Sequence, residues 1–98
     1  MTVVEKAELP VEEDKADEFE AVLTKAAELL LAPGGCRTLT IGRGIERPNV
    51  FLVTATWDSV DHHHAFREDP SFVEFVGQIK AYLVGATGME HFTPLLQR

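Results

Sequence analysis

Along this chain the apolar residues alternate between a spacing of two and a spacing of three to four, and each switch marks a new element. From Thr2 to Leu9 the alternation is weak. Val3, Ala7 and Leu9 point one way and Lys6 and Glu8 the other, which predicts a short strand stopped by Pro10. From Asp14 to Leu31 the spacing turns helical: Ala16, Phe19, Val22, Leu23, Ala26, Leu29 and Leu30 fall on one stripe. Acidic residues crowd its start, where the helix dipole favours them, and Pro33-Gly34-Gly35 stops it. Cys36 to Arg43 alternates again, with Leu39 and Ile41 opposed to Thr38 and Thr40. Gly44 to Asn49 reads as a hairpin connection. Val50 to Trp57 is the strongest strand pattern in the chain, β-branched and aromatic almost throughout.

Asp58 or Ser59 can cap a short helix running to about Glu68. Asp69-Pro70 has the form of an N-cap followed by proline at the first helical position. The helix it opens carries Phe72, Phe75, Val76, Ile79 and Leu83 on one face. Gly85 and Gly88 close that region, and Met89 to Thr93 can form a last strand before Pro94. The order is β-α-β-β-α-β with the second helix split. It predicts an α+β protein of ferredoxin-like arrangement, an antiparallel sheet with its helices on one side. In Val50 to Trp57, Phe51, Val53, Ala55 and Trp57 share one face, and Val50, Leu52, Thr54 and Thr56 the other. Helices cover one of these faces. The second is apolar enough to predict a homodimer packed sheet to sheet.

The chain has 98 residues, which predicts a single domain over residues 1–98. A formal charge of −7 argues against nucleic acid and anionic membrane surfaces as partners. Cys36 is the lone cysteine, so an internal disulfide is excluded and a reducing compartment is expected. The start MTVVEKAELP lacks the form of a signal peptide, and ELLLAP, the longest apolar run, is too short to span a bilayer. These features predict a cytoplasmic protein.

The stretch WDSVDHHHAFREDP raises the question of chemistry. Neighbours on a helix lie about 100° apart, so His62, His63 and His64 fan out and cannot converge on one ion. Zinc needs three or four converging ligands, and only Asp61 and His91 stand near as extra candidates, so no metal site is expected. Phe66 should point inward, with His62 or His63 flanking it on the buried side. A half-buried imidazole there is a candidate base, set against a packing or capping role.

The strand FLVTATWDS, the helix after it, the DPSF step and the helix SFVEFVGQIKAYL resemble the antibiotic biosynthesis monooxygenase family along nearly the whole chain. The resemblance implies a dimeric α+β barrel. It also implies a cofactor-free oxygenase, in which a phenolic or polyketide-like substrate supplies the electrons and the protein binds, deprotonates and stabilises it. It places Trp57 in the wall of a pocket between sheet and helices, where core packing is the alternative role. It leads one to expect a glutamate at the position of Ala55 and a histidine at that of Phe66, and this chain departs from both. It favours His63 over His62 as the inward histidine. Tyr82, Arg37, Arg43 and Asn49 are polar groups that could orient an anion. Haem cleavage is not expected: the first strand has no asparagine, and the haem-ligand position falls on Val76. On the same fold, a non-catalytic small-molecule-binding or stress-response protein, and an isomerase or signal-molecule enzyme, are the alternatives.

Overall fold

The computed structural model describes residues 2–31 and 34–98. Its sheet has four antiparallel strands in the order β2-β3-β1-β4: β1 (Val3–Pro10), β2 (Cys36–Arg43), β3 (Val50–Trp57) and β4 (Glu90–Phe92). Three helices, α1 (Ala16–Ala26), α2 (Val60–Phe66) and α3 (Pro70–Ile79), complete the ferredoxin-like α+β order that the periodicity predicts. Short 3₁₀ turns flank α1 at Glu13–Lys15 and Ala27–Leu31, so the long helical stripe is one α-helix with tightened ends. The Pro33 part of the expected helix stop lies outside the described residues.

Capping fixes the split of the second helical region. Ser59 accepts from the His62 N–H at 3.1 Å and starts α2. Asp69 accepts from the Ser71 N–H at 2.8 Å, and Pro70 opens α3 behind it. Leu83 departs from the expected helical face. The α-helix ends at Ile79, a 3₁₀ turn covers Lys80–Tyr82, and Leu83 is already extended, bridging to Val11. β1 ends at Pro10 as expected, with Pro10 itself still paired with Val50.

The register of the two central strands decides what faces the helices. Val3 pairs with Trp57, Glu5 with Ala55, Ala7 with Val53 and Leu9 with Phe51. All of these except Glu5 are buried apolar residues that pack against Phe19, Leu23, Phe75 and Ile79 of the helices. The opposite face carries Val4, Leu52, Thr54 and Thr56, each part-exposed. A register shift between Cys36 and Thr38 breaks the alternation of β2. Arg37 therefore does not share the face of Arg43, as simple alternation would have it. Two glycines are dictated locally. Gly35 has φ 98°, and a Cβ there would meet His62 at 3.0 Å; a Cβ on Gly44 would meet the Arg47 carbonyl oxygen at 2.3 Å.

Candidate functional site

Between the sheet and α2–α3 lies a cavity of about 210 Å³. Leu9, Leu30, Val53, Phe75, Ile79 and Leu83 make most of its wall apolar. At one end stand Glu5, Trp57, His63 and Arg67. A dry cavity of about 150 Å³ is enough to hold benzene, so this one has room for one or two rings.

The polar end is built from three elements. β1 supplies Glu5, on the same side of the strand as Val3, Ala7 and Leu9. β3 supplies Trp57, whose indole N–H donates to Glu5 Oε1 at 2.9 Å. α2 supplies His63, whose ring stacks on Trp57 with centroids 4.9 Å apart and whose Nε2 stands 3.3 Å from the same Oε1. Phe66, one turn on, packs against the same indole with ring centroids 5.4 Å apart. On the edge strand, His91 is the direct partner of Glu5 in the β1–β4 pairing. Its Nε2 lies 2.6 Å from His63 Nδ1. Both contacts to Glu5 fall on Oε1, and Glu5 lines the cavity.

Burial reverses the usual ranking of these two groups. The Glu5 carboxyl is pushed above its ordinary value by desolvation, against the pull of the Trp57 N–H and of nearby His91 and Arg67. The His63 imidazole is lowered to about 4, by burial first and then by His91, Arg67 and His64. At neutral pH His63 is therefore an uncharged ring with one N–H, and Glu5 is the stronger base. His63 offers its two nitrogens to different partners, so Glu5, His63 and His91 do not converge on a single point. Among the described residues no group of three or more His, Cys, Asp or Glu side chains is placed to hold a metal ion.

Of the residues singled out in the sequence, Trp57, His63 and Phe66 meet at the cavity. The others do not. His62 is exposed, with Nδ1 on the Ser59 hydroxyl at 2.7 Å, because it sits in the first turn of α2 on the solvent side. Arg37 projects from the β2 irregularity to pair with Asp58. The Tyr82 hydroxyl donates to the Glu18 carboxylate, and its ring packs on Phe19 at 5.3 Å, outside the cavity. Arg43 joins Asp17 and Glu20 at 2.9 and 3.0 Å and caps the Phe51 ring, and the Asn49 amide donates to the Val11 carbonyl at 3.0 Å. His64 is exposed.

Glu5, Arg67 and the role of His91 escaped the sequence reading. Glu5 is the one charged residue on the odd-numbered face of β1, a pattern that by itself reads only as a weak strand. The two departures from the family pattern also take on a spatial meaning. Ala55 stands directly across the ladder from Glu5. Phe66 lies three residues after His63, on the same buried face of α2. A carboxylate and an imidazole thus reach the cavity from neighbouring positions.

The fold is that of an α+β protein with a polar-ended cavity between its sheet and its helices. The sequence sharpens that description. Residues 2–78 match the family model for antibiotic biosynthesis monooxygenase, and the chain belongs to that family. Among solved structures it is similar to a candidate antibiotic biosynthesis monooxygenase from Bordetella bronchiseptica, at 25% identity and TM-score 0.87, over 97% of this chain and 98% of that one. It shares its fold with SnoaB, a cofactor-independent oxygenase from Streptomyces nogalater, at 20% identity and TM-score 0.82, over 98% of this chain and 95% of that one. A candidate monooxygenase from Caulobacter crescentus has the same fold at 22% identity and TM-score 0.82, over 97% of this chain and 91% of that one. Among curated proteins no sequence match is found.

Proposed function

We propose that the protein is a cofactor-independent monooxygenase for a one- or two-ring phenol or enol. The observation that carries this reading is the Glu5 carboxylate, fixed by the Trp57 N–H at 2.9 Å at the polar end of an otherwise apolar cavity. An apolar wall binds the ring, and a desolvated carboxylate with a raised pKa takes the hydroxyl proton. Arg67 lines the same end and offsets the negative charge that develops. The electron-rich anion reacts with molecular oxygen at a ring carbon bearing hydrogen. That C–H becomes C=O, the second oxygen atom leaves as water, and the substrate supplies the electrons. His63, the favoured base in the sequence reading, serves here as the neutral partner of Glu5.

The active form in this proposal is a cytoplasmic homodimer. Val4, Leu52 and Phe92 lie on the uncovered sheet face, and Phe92 is 46% exposed. A second copy packed there would remove them from water. Among the described residues no helix is long and apolar enough to cross a membrane.

Oxygen consumption with a panel of hydroquinones and dihydroxynaphthalenes tests the reading. Uptake is expected with at least one of them, and Glu5→Gln should lower turnover by at least about 100-fold, the low end of what a positioned base contributes. Tight binding of these compounds with no oxygen uptake would overturn the oxygenase reading and leave a binding protein.

A further inference from the structure

We infer that Glu5, His63 and His91 form a proton relay that links the cavity with solvent at the β4 edge, making His91 a positioning residue for Glu5. The inference rests on the reading of Glu5 as the base of the site, and it follows from the tautomer arithmetic of one buried ring. His63 is 3% exposed, and its two nitrogens each face one group: Nε2 faces Glu5 Oε1 at 3.3 Å, and Nδ1 faces His91 Nε2 at 2.6 Å. A neutral imidazole has a single N–H, so the two contacts cannot both be donated. With Glu5 ionised, the His63 proton lies on Nε2 toward the carboxylate, and Nδ1 accepts from the His91 Nε2–H. With Glu5 protonated, its O–H points at His63 Nε2, the His63 proton moves to Nδ1, and His91 Nε2 accepts it. The state of Glu5 therefore fixes the tautomer of His63 and, through it, that of His91.

This correlation moves a proton without ever creating a buried imidazolium, which agrees with the low basicity of His63. A proton on Glu5 passes to His63 Nε2, the Nδ1 proton of His63 passes to His91 Nε2, and the Nδ1 proton of His91 passes to water. One proton enters, one leaves, and the buried His63 ring stays neutral throughout. The 3.3 Å gap is longer than a standard hydrogen bond, as such contacts often are before substrate binds. The strand pairing explains why the chain of groups exists: His91 and Glu5 are direct partners on the helix-facing side, and α2 lowers His63 between them. Unlike His63, His91 is part-exposed, so the outer end meets solvent. The other titratable or charged groups around the relay are His64, with its ring 5.9 Å from that of His91, Arg67, and Cys36, whose thiol is raised by burial and then by the Glu5 charge. A substrate filling the apolar cavity would cut Glu5 off from water on that side, leaving this route for the proton it must lose before it can act.

Imidazole ¹⁵N spectra of the wild-type protein test the relay without any substrate. As Glu5 titrates, its carboxyl ¹³C signal and the ring nitrogens of His63 and His91 should all shift with one shared midpoint, and Glu5→Gln should abolish that shared step. A His91 tautomer that stays constant through the Glu5 transition would overturn the relay. In oxygen uptake, His91→Phe should lower kcat by about 10- to 100-fold with KM unchanged, and free imidazole in the buffer should restore part of it. An equal loss that imidazole does not restore would mean His91 only packs. Wild-type protein that consumes no oxygen would sink the oxygenase reading, and the nitrogen spectra would still decide the relay.

Discussion

The two faces of the sheet are written by the same strands, yet they carry information in opposite ways. On the helix-covered face almost every residue is apolar, and the informative one is polar: Glu5, in a row with Val3, Ala7 and Leu9. On the open face hydroxyl and charged groups dominate, with Thr38 bonded to Thr56 at 2.7 Å and Lys6 paired with Glu8 at 3.2 Å. There the informative residues are apolar: Val4, Leu52 and Phe92. A buried face tolerates a carboxylate only when partners hold it, and an exposed face keeps a cluster of large apolar groups at a cost in solubility. The exception on each face therefore points to chemistry on one side and to association on the other.

The sharpest way to break the covered face is to remove Trp57, which is 2% exposed and both packs the core and donates to Glu5. Trp57→Ala should lose roughly 3–5 kcal/mol of stability in chemical denaturation, the range for large aromatic truncations. Next in size is the response to acid. The His63 pKa falls from 6.5 to about 4 on folding, so the unfolded chain binds the extra proton between those values and stability falls as pH drops through that window. At about 1.4 kcal/mol per pH unit, this amounts to roughly 3 kcal/mol. Glu5 acts with the opposite sign: its raised pKa favours the folded state at low pH, and that contribution is lost as pH rises. Denaturant midpoints between pH 4 and 7 should thus show a steeper slope in Glu5→Gln and a flatter one in His63→Phe.

The open face gives the smallest effect on the fold of one chain and the largest on assembly. Leu52→Lys should change monomer stability by no more than about 0.5 kcal/mol, as surface substitutions do, while sedimentation shifts toward a monomer. Unchanged sedimentation of a wild-type monomer would remove the dimer from the account. Arg37→Ala serves as the neutral reference. Its side chain is 67% exposed, and it should move neither stability nor ligand binding beyond about 0.5 kcal/mol.

What the sequence made legible follows from the same contrast. The element order, the split second helix and the caps at Ser59 and Asp69 depend on local spacing and local hydrogen bonds, which periodicity reports directly. Phe66 was legible as an inward residue for the same reason, and Trp57 through the family resemblance. Glu5 was not, because a charge in an otherwise apolar row only makes a strand look weak until the register opposite Ala55 is known. His91 entered the sequence reading as an extra candidate ligand, and its proper place depends on an edge strand of three residues meeting α2. Arg37 turns to Asp58 where an irregularity in β2 resets the alternation, which periodicity does not report, and Leu83 leaves the expected helical face because α3 ends at Ile79.

The central claim is that Glu5 deprotonates a ring hydroxyl inside the cavity. The most direct test is the pH profile of oxygen uptake at saturating substrate, with wild-type protein and Glu5→Gln side by side. Wild-type turnover should rise with pH along an ionisation that Glu5→Gln lacks, with turnover in the variant low throughout. An unchanged profile and equal turnover in Glu5→Gln would contradict the claim.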